Sequence, residues 1–361
     1  MKKVIFLILT LIFILTGCSF DLQSVATDTN EQEATKEFFA MDTVIDLKVY
    51  GDNAEEALES VEKEIEYLDS LLSTGDENSE IFALNQSGSA ILSDVSAYLF
   101  ERSCEIYDLS GGAFNPMIYP IVEAWGFPSE NYHVLNQDEI DAILPLTDIS
   151  KVTYDKDTHQ IQFELDGMAI DFGGIAKGYT SDRIKAILED YGITSALINL
   201  GGNVYVRGLK PNGNQWKIAI QDPYETDDYG SDDYQSYDYI GIFNASDCVV
   251  ITSGGYERYF DENGVRYHHI LDPSTGVPAN SGLISVSIIS DDGTLADGLS
   301  TSLFVLGLEK SIDLWREHSS EFDAILMTDE NEIYITEGLK DNFVSEKYPI
   351  HVISLSDTQT D

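Results

Sequence analysis

Residues 253–278, SGGYERYFDENGVRYHHILDPSTGVP, constrain the fold more than any other stretch of the chain. Gly254-Gly255 frees the backbone for positive φ or for close approach to a ligand. Glu262-Asn263-Gly264 is a hairpin turn. The return strand over 265–271 puts His268 and His269 on opposite faces, because side chains alternate along a strand. The stretch closes on Asp272-Pro273, Thr275 and Gly276, a dense turn signal. One buried His would suit a plain hairpin. His269 instead stands among glycines, Arg258 and an Asp-Pro-x-Thr-Gly turn, so the segment reads as part of a site that handles an anion.

At 361 residues and 43% hydrophobic content, the chain can bury one large core or two smaller ones. Lys2-Lys3, an apolar run over 4–15 and Leu15-Thr16-Gly17-Cys18 describe a secretory signal too short for a comfortable membrane span. The ending resembles a bacterial lipoprotein signal over residues 1–17. It would leave Cys18 as the lipidated first residue, an extracytoplasmic protein anchored to the membrane. Residues 18–36 are polar and read as a flexible tether, and 351–361 as a polar tail. Cys104 and Cys248 read as small core residues rather than a metal pair. The net charge of −44 argues against nucleic acid as a partner. A phosphorylated ligand would need a metal ion or backbone amides to overcome that field.

Residues 41–50 alternate as a strand, and Asp52-Asn53 can cap a helix through Leu72 with Leu58, Val61, Ile65, Leu68 and Leu72 as its apolar stripe. A second helix runs over 94–109. The aromatic, turn-rich segment from Ala113-Phe114-Asn115-Pro116 to Trp125-Gly126-Phe127 is a plausible wall for a planar ligand. Asn136 caps a short helix ended by Pro145. Residues 160–165 and 168–171 look like paired strands. Phe172-Gly173-Gly174-Ile175-Ala176-Lys177-Gly178 is a glycine-rich loop opening a helix, able to bind phosphate through amides and dipole, although it is not a P-loop. The strand 195–200 runs into Gly201-Gly202-Asn203. Residues 222–239 are an acidic, tyrosine-dotted surface insertion, with an acidic calcium loop as the alternative. Near the end, Asp297 and Thr301 lie four apart on one helix face, and their oxygens suit Mg²⁺ or Ca²⁺.

Taken together, the ordered segments resemble the ApbE family of FAD:protein FMN transferases. They are Met41-Asp42-Thr43, Ser79-Glu80-Ile81 with Asn85, Gly112–Pro116 with Trp125-Gly126-Phe127, and Asp171–Tyr179. Asn199–Asn203, Thr252–Arg258, His269–Gly276 and Ala296–Thr301 follow. Asp42 departs from the pattern, since the family usually has Gly there, and so does the acidic insertion.

The resemblance implies an α+β fold over about 37–350, of mixed, largely antiparallel sheets with flanking helices and two lobes around a flavin-binding cleft. It implies a metal site from Asp297, Thr301 and a backbone carbonyl, Gly174 first and Ala176 second. Contacts to FAD are implied for Met41, Asn85, Ala113, Phe114, Asn115 and Trp125. Lys177, Asp182, Gly201, Gly202 and Asn203 would continue the cradle. Ser253, Gly254, Tyr256, Arg258, His269, Ile270 and Thr275 would complete it. The implied chemistry splits FAD between its phosphates and passes FMN to a Thr or Ser hydroxyl of an extracytoplasmic acceptor protein. AMP leaves, with Mg²⁺ bridging pyrophosphate oxygens and His269 deprotonating the hydroxyl or orienting it. Asp272 is a weak candidate for orienting His269. The rival readings are an FAD pyrophosphatase and a non-catalytic FAD-binding lipoprotein.

Overall fold

The computed structural model describes residues 32–224 and 239–356. In chain order come β1 (Glu33–Ala40), β2 (Thr43–Tyr50), α1 (Ala54–Leu72), α2 (Glu80–Ser87), β3 (Ser89–Ile91) and α3 (Asp94–Leu109). They lead to α4 (Tyr119–Ala124), α5 (Gln137–Ile143), β4 (Val152–Asp155), β5 (Gln160–Phe163) and α6 (Ala176–Asp190). Next are β6 (Ser195–Leu200), β7 (Asn203–Arg207), β8 (Trp216–Gln221), β9 (Tyr239–Ala245), β10 (Cys248–Gly254), β11 (Tyr259–Glu262) and β12 (Val265–His268). The series closes with β13 (Leu283–Ser290), α7 (Gly293–Leu306), α8 (Leu308–His318), β14 (Asp323–Thr328), β15 (Ile333–Thr336), β16 (Phe343–Val344) and β17 (Ile350–Ile353).

Nine strands form one sheet in the order β1-β2-β6-β7-β10-β13-β14-β15-β17. Its neighbours pair antiparallel except β15 and β17, which run parallel. Period-two alternation sends successive side chains of a strand to opposite faces. In β10, Val249 and Ile251 join a core under the helices, with Leu58, Val61 and Ile65 of α1, Ile184 of α6 and Leu299 of α7. Val250 joins a second core with Trp216, Ile218, Ile240 and Phe243, carried by the three-stranded sheet β16-β9-β8. The sheet is thus covered on both faces, as its near-continuous apolar strands require. The fold is α+β. A third cluster gathers Ile121, Trp125, Phe127, Leu135, Ile140 and Leu271 against Phe260 and Tyr267 of the β11–β12 hairpin.

Several boundaries differ from the reading of the sequence. β1 begins at Glu33, inside the stretch read as a tether, because its alternate residues Ala34, Lys36 and Phe38 turn towards α1 and Lys36 pairs with Glu62. β17 carries order through Ile353, into the stretch read as a tail, by pairing with β15. Residues 168–171 are not a strand. β5 pairs with β3 and β4 instead, and the Asn85 amide accepts from Ile170 N at 2.8 Å and donates to Ile170 O at 2.9 Å, so this backbone is satisfied without a ladder. Asn53 stands at the amino end of α1, but its side chain donates to Tyr191 O rather than capping the helix. Cys104 and Cys248 are free thiols, and burial pushes them up to about 11 and about 12 respectively. The signal segment with Cys18 and residues 225–238 of the acidic insertion lie outside the described residues. Asp222, at the foot of that insertion, is buried and accepts from Tyr348 Oη at 2.7 Å and Lys347 Nζ at 2.9 Å, so it serves as an internal tie.

The helices α6 and α7 exchange caps. The residue before α6, Ile175, has no oxygen to offer, and Gly178 N donates to Asp297 Oδ2 of α7 at 2.8 Å. In return Asp182 of α6 accepts from Gly293 N, Thr294 N and Thr294 Oγ1 at 2.7, 2.9 and 2.7 Å. Each carboxylate meets the positive end of the other helix, where an anion is stabilised. The approach is close enough that a Cβ on Gly178 would overlap the Gly293 carbonyl, and one on Gly293 would overlap the Gly178 carbonyl. Asp182, assigned above to a flavin contact, therefore spends its oxygens on helix α7. Asp182→Ala should lower stability by about 2 kcal/mol, the scale of a lost cap with orphaned donors. Urea denaturation measures this, and an unchanged midpoint would contradict the exchange.

Candidate active site

The strand order brings several turns to one end of the central sheet: Met41-Asp42 between β1 and β2, Gly201-Gly202 between β6 and β7, and Ser253-Gly254 at the end of β10. The amino end of α6 and Asp297 of α7 lie there too, since Gly178 N donates to Asp297 and Asn203 Nδ2 donates to Asp297 Oδ1 at 3.2 Å. Asp42 has φ 58°, a left-handed conformation open to Asp and easiest for Gly. The departure from the family pattern at Asp42 thus keeps a path that glycine would take. Thr180 Oγ1 lies 3.5 Å from Met41 Sδ and holds that turn against α6.

Asp297 is the centre of the arrangement. Burial pushes its carboxyl above the ordinary range, and Lys177, Gly178 N and Asn203 only partly offset that cost. A buried carboxylate compensated only in part is of a kind that fits a cation. Ser253 Oγ lies 2.8 Å from Ser300 Oγ and 3.4 Å from Thr301 Oγ1, one turn further along α7. Because Gly178 N goes to Asp297, no hydrogen bond among the described residues is made to the Gly174 carbonyl. The alternative Ala176 carbonyl already accepts from Thr180 Oγ1 at 2.7 Å. One carboxylate, a hydroxyl and a free carbonyl are hard oxygen donors that fit Mg²⁺. Among the described residues no group of three or more His, Cys, Asp or Glu gathers as a metal site.

His269 follows β12 directly. Its backbone N and Nδ1 both lie against the Arg258 carbonyl, at 3.0 and 3.1 Å. A carbonyl only accepts, so Nδ1 carries the proton and the neutral ring keeps its lone pair at Nε2. Desolvation, then the cations Arg258 and Lys177, push the imidazole down to about 3. His268 is the structural one of the pair: its Nε2 meets Ala279 O at 3.0 Å and its ring stands edge-on to Phe304. Glu257 is exposed, in the chain segment after β10. Desolvation raises its carboxyl to about 7, with Lys177 opposing and Asp297 adding.

The other assigned residues divide into those that face this end and those that build it. Asp272 accepts from Ser274 N and Oγ within its own turn, so Arg258 and not Asp272 orients His269. Thr275 belongs to the same turn. Trp125 is no open wall: it is buried, and Nε1 donates to Gly276 O at 2.8 Å. Asn115 is buried and spends its amide on Met117 N and Thr147 O. Phe114 is buried against Gly174, and Ala113, Tyr256 and Ile270 are buried as well. Glu257 and Ser300 were missed, although both sit inside motifs quoted for their neighbours. What singles them out is where their side chains go, which spacing alone does not carry.

A buried carboxylate, a neutral histidine and the amino end of α6 thus meet at one end of the sheet, as an enzyme site would have them. The family model of ApbE matches residues 41–326. The FAD:protein FMN transferase of Treponema pallidum (strain Nichols) is 36% identical over 301 residues, 79% of this chain and 80% of that protein. The enzyme of the same name from Escherichia coli (strain K12) is 29% identical, covering 81% and 83%. The crystal structure of the ApbE protein from Thermotoga maritima superposes with a TM-score of 0.77 at 31% identity, over 86% of this chain and 99% of that one. The flavin transferase ApbE from Vibrio cholerae gives 0.75 at 25% identity, with the same coverage. The chain belongs to the ApbE family.

The state of His269 is open to direct measurement. Nitrogen-15 NMR should show one neutral tautomer, protonated at Nδ1, unchanged between pH 8 and about 5. A midpoint near 6.5 for this residue would contradict the site as described.

Proposed function

We propose that this FAD:protein FMN transferase cleaves FAD between its two phosphates, transfers FMN to a Thr or Ser hydroxyl of an acceptor protein and releases AMP, with Mg²⁺ required. The observation that carries this reading is the buried, undercompensated Asp297, which takes the Gly178 N–H that a regular helix would give to the Gly174 carbonyl. Asp297, Thr301 and the Gly174 carbonyl would hold Mg²⁺. When bound, the ion would neutralise pyrophosphate charge and act as a Lewis acid on a phosphoryl oxygen. Lys177, in the first turn of α6, and Arg258 orient the phosphates in an otherwise acidic protein. His269 takes the hydroxyl proton at Nε2 as the new O–P bond forms and the bond to the AMP phosphate breaks. Its Nδ1–H stays on the Arg258 carbonyl throughout, which keeps the lone pair at Nε2. Charge from the bound pyrophosphate raises the imidazole from its low resting value towards one suited to accepting that proton.

The acceptor is an extracytoplasmic flavoprotein, and the enzyme itself is anchored through a lipid on Cys18. The signal-like residues before Cys18 support this. Labelling of cells with an azide-bearing fatty acid should tag the wild-type chain and not Cys18→Ser, and equal tagging of both would exclude the anchor.

The reaction is tested by incubating the protein with FAD, Mg²⁺ and a membrane fraction, then following protein-bound flavin fluorescence and AMP together. Equal amounts of both are expected. AMP with free FMN and no bound flavin would make the chain a pyrophosphatase, and intact FAD would make it a binding protein. Asp297→Ala should lower transfer at least about a hundredfold, since the charge of the pyrophosphate then goes uncompensated. Thr301→Ala should cost less, because a neutral hydroxyl supplies less charge. Asp297→Ala turning over at the wild-type rate with unchanged Mg²⁺ dependence would remove the ion from the site.

A further inference from the structure

Phe127 touches the His269 arrangement twice. Its carbonyl oxygen accepts from Arg258 Nη2 at 3.3 Å, and the Arg258 carbonyl is the one that holds His269. Its ring stands edge-on to the imidazole, with centroids 6.4 Å apart and planes at 69°. A ring held by one hydrogen bond at Nδ1 can still swing about that contact, and a second contact on its face fixes the plane. Within the aromatic cluster, Phe127 is the ring that reaches His269, while Phe260 and Tyr132 hold Phe127 from behind at 5.9 and 5.8 Å.

The segment around Phe127 is built to stay put. His133 N donates to Trp125 O at 3.1 Å and closes a loop over 125–133. Gly126 has φ 84°, and a Cβ there would overlap the Asn131 carbonyl, so the loop can close this tightly only on glycine. Phe127 itself is 3% exposed. Behind it Tyr132, Phe260 and Tyr267 stack in turn, at 4.6 and 5.3 Å, and tie the β11–β12 hairpin to the loop. The hairpin that delivers His269 and the loop that delivers Phe127 therefore move as one body.

We propose that Phe127 is a positioning residue for the transfer reaction, fixing the plane of the His269 imidazole so that Nε2 meets the acceptor hydroxyl. This rests on the reading of His269 as the proton acceptor. A side-chain substitution at Phe127 leaves its carbonyl on Arg258, so it isolates the contribution of the ring. Leucine fills a similar volume without a flat edge.

The test compares Phe127→Leu, Phe127→Tyr and His269→Ala in the full chain with FAD, Mg²⁺ and the membrane acceptor, with nitrogen-15 NMR of His269 alongside. Phe127→Leu should lower kcat about tenfold or more and leave KM for FAD within about twofold, the pattern of a group needed only for alignment. Its His269 signals should shift from the single Nδ1–H tautomer towards a mixture. Phe127→Tyr keeps the ring and should restore both rate and tautomer. Should Phe127→Leu fail to fold, Phe127→Met is read in the same way. Wild-type kcat in a folded Phe127→Leu, or a slowed variant whose His269 tautomer is unchanged, would overturn the proposal. Wild-type turnover by His269→Ala would instead overturn the role of His269 itself.

Discussion

The exchange of carboxylates between α6 and α7 is the interaction on which the rest of the site depends. Asp182 reaches across to the amino end of α7, and Asp297 reaches back to that of α6. Two facing glycines, Gly178 and Gly293, allow the crossing to be this close. The two contributions are not equal. Asp182 makes three short contacts and is finished as a ligand. Asp297 makes one backbone contact and one to Asn203, and its remaining lone pairs are buried beside Lys177. The same geometry therefore yields one structural carboxylate and one that still calls for a cation.

A protein of net charge −44 that takes FAD as its substrate needs local positive charge where the pyrophosphate sits. Screening leaves the field of distant surface carboxylates weak at the site, whereas short-range donors act undiminished. Lys177 acts on both Asp297 and His269, and Arg258 on His269, so local positive charge is present at this end of the sheet. The low resting value of His269, about 3, belongs to the same picture. Desolvation is its main cause, and the cations Arg258 and Lys177 add to it.

Much of this was legible in the sequence where one element carries the signal alone. The stripe of α1, the span of α3 and the i, i+4 relation of Asp297 and Thr301 follow from helical periodicity, and all lie where that periodicity puts them. The hairpin turn at Asn263-Gly264 has both residues at positive φ, as its composition implies. What escaped were partnerships between distant segments. Asn85 satisfies residue 170 and removes a strand that composition suggests. Trp125 looks like an open aromatic wall until its indole N–H is found on Gly276. Asp182 and Asp297 are equivalent as letters, and only the crossing of two helices tells them apart.

The claim at the centre of the account is that Asp297 and the Gly174 carbonyl hold the ion that neutralises the substrate. Crystals of the protein grown with Mn²⁺ in place of Mg²⁺, and with FAD, test it through anomalous scattering. The account predicts a single strong peak within coordination distance, about 2.2 Å, of an Asp297 oxygen and the Gly174 carbonyl. A peak held by other side chains, or none at Asp297 with FAD bound, would contradict it.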